Sequence, residues 1–161
     1  MAGGLKTGTR TWRDARLRKH ADYQRVYREG RKQSSASMSY FYSPRAPIAK
    51  SHNARTAEDG SGDPRGPRIG LTAGRVMGKA VDRNRIKRRM REAVRRNLNR
   101  LAADVDVVLH PRRSVLTIEF SKLDQEVARI FAAVESAIVK ARTQPSPNPS
   151  MSPRPRREAR P

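Results

Sequence analysis

The 161-residue chain contains no cysteine, which excludes disulfide staples and thiolate metal sites. Acid is also scarce, with 15 Asp and Glu against 36 Lys and Arg, a formal net charge of +21. Aromatic residues make up 5% of the chain and hydrophobic residues 35%, so the core is small and part of the length lies outside it. No stretch approaches the roughly 18 consecutive apolar residues of a membrane-spanning helix, and no hydrophobic signal region follows the first residues. With the missing cysteine, this is the expected profile of a cytoplasmic protein that has no membrane partner. A compact domain carrying that much positive charge repels itself unless a polyanion accompanies it. Nucleic acid is therefore the expected partner.

Three low-complexity stretches bound the rest. Residues 1–15 read as a flexible basic arm. Residues 43–67, SPRAPIAKSHNARTAEDGSGDPRGP, combine Gly, Pro and small polar residues into a long loop between two strands. From residue 143 the chain carries six of its 11 prolines together with four arginines, and 143–161 reads as a disordered tail. One domain, 16–142, remains.

Inside that domain the periodicities alternate. ADYQRVYREG spaces Tyr23, Val26 and Tyr27 as one helical face and stops at Gly30, a C-cap signal. SMSYFYS and the shorter RIGLTAG favour strands, as does DVDVVLHP, a β-branched run stopped by Pro111. Asp82 can cap a long helix running to about Leu101. A last helix carries Leu123, Val127, Ile130, Phe131, Val134 and Ile138 on one stripe, with Ser121 as a candidate cap. Helices and strands mixed in this order imply an α+β fold, with helices packed on one small sheet.

The segment VDRNRIKRRMREAVRRN holds eight basic residues in seventeen. At 100° per residue, Ile86, Met90, Ala93, Val94, Leu98 and Leu101 share one sector, the face that packs on the sheet. Asn84, Arg88, Arg91 and Arg95 form a stripe on the other side, and Arg85, Arg89 and Arg96 form a second beside it. Glu92 projects between the stripes, within reach of Arg88, Arg89, Arg95 and Arg96. A solvated charged face normally mixes signs, whereas like charges stacked at i, i+3 and i+4 cost roughly 0.2–0.5 kcal/mol per pair. An anionic partner reverses that sign, and arginine suits forked hydrogen bonding to phosphate.

The run GKAVDRNRIKRRMRE resembles the protein subunit of bacterial ribonuclease P, whose signature is an Arg-Asn-Arg helix followed by Ile-Lys-Arg. RLRKHADYQRVYREGR, RIGLTAGRVMGKAV and DVDVVLHPR extend the resemblance in order over about residues 16 to 140. The resemblance implies a mixed sheet in α-β-β-β-α-β-α order with a left-handed βαβ crossover, similar to the second domain of a small-subunit ribosomal protein. It also implies an endoribonuclease complex that removes the 5′ leader of precursor tRNA. There the RNA subunit holds the Mg²⁺ ions and performs the hydrolysis, while the protein binds that RNA and the leader and holds no cofactor itself. Carried over by position, Arg83, Asn84, Arg85, Lys87, Arg88 and Arg91 would contact the RNA subunit, with Arg89 and Arg95 added from the helical stripes. Tyr23, Tyr27 and Phe41 would line a cleft for the single-stranded leader, joined by Arg75 from the next strand. TAGRVM departs from the usual Ser-Lys-Lys there, and His110 stands near the family's arginine.

Plain core packing is the alternative for the three aromatics. A basic ribosomal or nucleoid protein is the alternative for the whole chain, and the ordered set of matched segments speaks against it. A self-sufficient nuclease needs metal-binding carboxylates or an acid–base pair. His20, His52 and His110 are scattered, each read as a surface or loop residue, and no paired carboxylates converge by spacing.

Overall fold

The computed structural model describes residues 10–45 and 66–143. Its elements are α1 (Trp12–Ala15), α2 (His20–Glu29), β1 (Arg31–Ser34), β2 (Met38–Pro44), β3 (Arg68–Leu71), α3 (Ala80–Asn97), β4 (Val105–Pro111) and α4 (Phe120–Thr143). Short 3-10 turns precede α3, follow it, and precede α4. The strands form one mixed sheet in the order β1-β2-β4-β3. β1 and β2 pair antiparallel, as do β2 and β4, while β3 runs parallel to β4. Because parallel neighbours need a crossover rather than a hairpin, α3 serves as that connection. The architecture is the α+β arrangement expected.

Strand alternation divides the sheet into two faces. Met38, Tyr40 and Tyr42 of β2, Ile69 of β3, and Val105, Val107 and Leu109 of β4 point into the main core. There they meet Ile86, Met90, Ala93 and Val94 of α3 and the apolar stripe of α4. Each such side chain fully removed from water contributes about 1.5–3 kcal/mol. The alternate residues Phe41 and Val108 join Leu17, Val26 and Tyr23 in a smaller cluster on the opposite face, under α2.

Local details differ from the pattern reading in five places. β1, RKQS, is exposed at every position, so it has no apolar alternation to reveal it; charge at an edge strand discourages pairing with other chains. A short helix lies inside the segment read as an arm: Thr11 and Asp14 form a capping box over α1 and Ala15 is buried. Asp82 is not the cap of α3: the helix begins at Ala80 with Lys79 at the N-cap, after a turn in which Gly78 takes φ 111°. Its carboxylate still lies in the first turn, where the helix dipole favours it. Ser121 is likewise inside α4 rather than before it, and the carbonyl of Glu119 accepts the N–H groups of Lys122 and Leu123 at 3.1 Å. Finally, α3 gives way at Asn97 to a 3-10 turn over Leu98–Arg100. Gly30 does cap α2, its N–H donating to the Val26 carbonyl at 2.8 Å. The long-loop reading falls largely on 46–65, and that of the tail on 144–161, both outside the described residues.

Candidate nucleic-acid interface

The α3 helix separates its side chains as the 100° rotation requires. Ile86, Met90, Ala93 and Val94 are fully buried, and Asn84, Arg85, Arg88, Arg91, Arg95 and Arg96 are exposed. Arg83 and Lys87 are half-buried at the margins. Glu92 is committed to two neighbours, accepting from Arg95 Nε and an Arg95 terminal nitrogen at 3.0 and 2.7 Å and from Arg96 Nε at 3.1 Å. Hydrogen bonds from Arg95 and then Arg96 hold its carboxyl well below the ordinary range, at about 2. Arg96 also lies over the Phe120 ring at 5.0 Å, a cation–π contact.

Arg89 has a different occupation from its neighbours. Its guanidinium donates to the Leu116 carbonyl at 2.7 Å and to the Ile118 carbonyl. It thereby fastens α3 to the segment leading into α4, and the exposed cationic stripe consists of the residues around it. Asn97, unremarked in the sequence, is buried and does related work, donating to Ala93 O at 2.9 Å and Asp124 Oδ1 at 2.8 Å.

On the α2 face of the sheet, Tyr27, Phe41 and His110 form a triad. The Tyr27–Phe41 centroids are 5.1 Å apart and nearly perpendicular, and His110 lies 5.4 Å from each ring. Tyr27 remains 39% exposed, and Lys32 sits over Phe41 at 5.8 Å. His110 is a half-buried strand residue rather than a loop histidine. Its Nδ1 is 2.7 Å from Thr72 Oγ1, and burial, followed by the charge of Lys32, pushes its pKa down. The period of two from Val108 was the signal that placed it beside Phe41. Burial pushes the Tyr23 and Tyr27 phenols up. Tyr23 lies deeper than Tyr27, donating to Leu17 O at 3.3 Å. It rests on Gly70, where a Cβ would come within 2.6 Å of its ring. Arg75 is exposed in the turn before α3, away from β3 itself. His20 is exposed at the start of α2, and His52 lies outside the described residues.

Several of the described carboxylates are engaged within the fold. Asp106, fully buried, accepts from Arg68 at 2.7 Å through two nitrogens, from Arg25, and lies 3.4 Å from Arg45 Nε. Asp22 lies 3.3 Å from Arg68. Glu126 accepts from Ser37 N at 2.8 Å, and Glu135 from the N–H groups of Ala102 and Ala103 at 3.1 Å. Among the described residues no group of three His, Asp or Glu is placed to hold a metal ion, and no helix is long and apolar enough to cross a membrane.

An α+β domain with a helix apolar on one side and cationic on the other, and an aromatic cluster on the α2 face of its sheet, defines a strongly basic protein of mixed-sheet architecture. The Ribonuclease P family model matches residues 12–135, and the chain belongs to that family. The ribonuclease P protein component of Symbiobacterium thermophilum is 45% identical over 64 residues, 40% of this chain and 56% of that protein. That of Brucella melitensis biotype 1 is 35% identical over 119 residues, 73% of this chain and 78% of the relative. The structure of the Staphylococcus aureus RNase P protein superposes with a TM-score of 0.57 at 19% identity, covering 75% of this chain and 95% of that one. The last shows the fold.

Proposed function

We propose that this chain is the protein component of a ribonuclease P and acts with the RNA subunit in removing the 5′ leader from precursor tRNA. The observation that carries the reading is the family match over 12–135, which spans both the α3 stripe and the aromatic cleft. In this reading Arg83, Asn84, Arg85, Lys87, Arg88, Arg91 and Arg95 face the phosphates of the RNA subunit, and Arg89 holds the helix in place for them. Tyr27 and Phe41, with Tyr23 beneath and Arg75 from the turn before α3, receive the single-stranded leader. Stacking on such rings tolerates any base, which suits leaders of many sequences. The Mg²⁺ ions belong to the RNA subunit and supply the hydrolytic chemistry there; the protein contributes affinity and position. The cytoplasm is the expected compartment.

Tyr27→Ala tests the cleft. Assembled with the RNA subunit, the variant binds precursor tRNA about fivefold to a hundredfold more weakly, the range of one lost stacking contact of about 1–3 kcal/mol, with mature tRNA unchanged. Equal weakening for both tRNAs, with the melting temperature preserved, contradicts a leader site at these rings.

A further inference from the structure

Trp12, Arg16, Tyr23, Leu71, Lys87 and Arg91 enclose a small cavity of about 70 Å³ where α1, α2, β3 and α3 meet. Three of the six side chains are cationic and none is acidic. Elsewhere, Arg25, Arg45 and Arg68 gather around Asp106, and Arg95 and Arg96 around Glu92. Among the described residues, Arg16, Lys87 and Arg91 make no side-chain hydrogen bond or ion pair. Like charges converging on one opening raise each other's energy unless an anion sits among them. The space exceeds the roughly 10–15 Å³ that one water needs by the same measure and suits a compact anion such as a phosphate group.

We propose that Arg16, Lys87 and Arg91 close around a single RNA phosphodiester, with Trp12 and Tyr23 as the apolar walls of the pocket. The proposal rests on the RNA-binding reading above and extends it to α1, which no part of the basic-helix signature includes. Arg16 is positioned by backbone pairing, since it bridges to Ile69 at the end of α1. Its side chain is free to serve the pocket. Tyr23 is shared: its ring wall faces the two α3 cations while it packs in the cluster beneath α2. The cavity therefore joins the cationic helix to the leader cleft. The phosphate comes from the RNA subunit or from the precursor tRNA, two sources of one chemistry.

The test uses full-length protein and two binding measurements over a range of salt concentrations: protein with the RNA subunit alone, and the assembled complex with precursor or mature tRNA. Arg16→Gln is expected to weaken one of the two by about tenfold, the order of a lost charge-assisted hydrogen bond. It should also lower the slope of log K against log salt by about 0.7–0.9, the release from one phosphate. Loss in the first measurement assigns the phosphate to the RNA subunit, and loss confined to the second assigns it to the substrate. Arg16→Lys retains the slope. Combining Arg16→Gln with Arg91→Gln costs less than the sum of the two, because both hold the same group. Arg18→Gln, an exposed neighbour outside the pocket, serves as the bulk-charge control. Should Arg16→Gln melt early, the Lys87→Gln and Arg91→Gln pair on α3 carries the same coupling test. Unchanged affinity in both measurements, an equal loss from Arg18→Gln, or strict additivity overturns the proposal. If instead the wild-type protein fails to bind the RNA subunit at all, the function reading itself fails, an outcome visible before any variant is compared.

Discussion

Asp106 holds three guanidinium groups from three elements: Arg25 of α2, Arg68 of β3, and Arg45 just past β2. The carboxylate is fully buried, while the Arg25 side chain is 34% exposed. Removing one partner of a buried ion pair typically costs about 3–5 kcal/mol, because the charges left behind have lost both water and partner. A surface-weighted pair contributes only about 0–1 kcal/mol. Asp106→Ala should therefore destabilise by about 3–5 kcal/mol, a large share of a small domain's total, and Arg25→Ala by about 1 kcal/mol. Urea unfolding of the two variants checks the ordering, and similar midpoints for both would contradict it. None of this was legible in DVDVVLHP, where Asp106 reads only as the polar member of an alternating strand. Its partners lie as far as 81 residues away in sequence, and local pattern carries no information about contacts at that separation. His110 is intermediate: its face follows from strand alternation, but its neighbours Tyr27 and Thr72 come from elements whose packing the sequence does not state.

At the scale of elements, α3 was the most legible part of the chain, because one helix carries both signals. Its apolar sector is the buried one and its arginine stripes are the exposed ones, as a fixed 3.6-residue period demands. What the period could not reveal is that Arg89 is recruited by the Leu116 and Ile118 carbonyls, or that Glu92 chooses Arg95 and Arg96 over Arg88 and Arg89. β1 was invisible to pattern for a physical reason: an exposed edge strand held by backbone hydrogen bonds to β2 needs no apolar residue. The rigid spacing of the stripe supports a prediction. Reversing Arg85 and Arg88 to Glu should weaken binding to the RNA subunit by at least about tenfold more than reversing Arg154 and Arg157, since fixed cations on a helix match fixed phosphates. Filter binding at moderate salt reads the difference. Equal losses from the two pairs would mean that only total charge matters.

The whole molecule is a sheet with two unlike sides. α3 and α4 cover one side with the main apolar core, and α2 covers part of the other, leaving Tyr27 and Phe41 beside a strand edge carrying Lys32. Cationic and aromatic surfaces thus belong to one compact body, joined at the cavity beside Tyr23, and among the described residues no group of three His, Asp or Glu is placed there to hold a metal ion. The account's central claim is that this body assists a catalytic RNA and does not cut by itself. The most direct measurement is precursor tRNA cleavage at low Mg²⁺ concentration by the RNA subunit alone, by the protein alone, and by the two together. The account predicts 5′ leader release that is rapid with both, slow with RNA alone, and absent with protein alone. Cleavage by the protein alone, or a rate with both components no greater than that of the RNA, would contradict it.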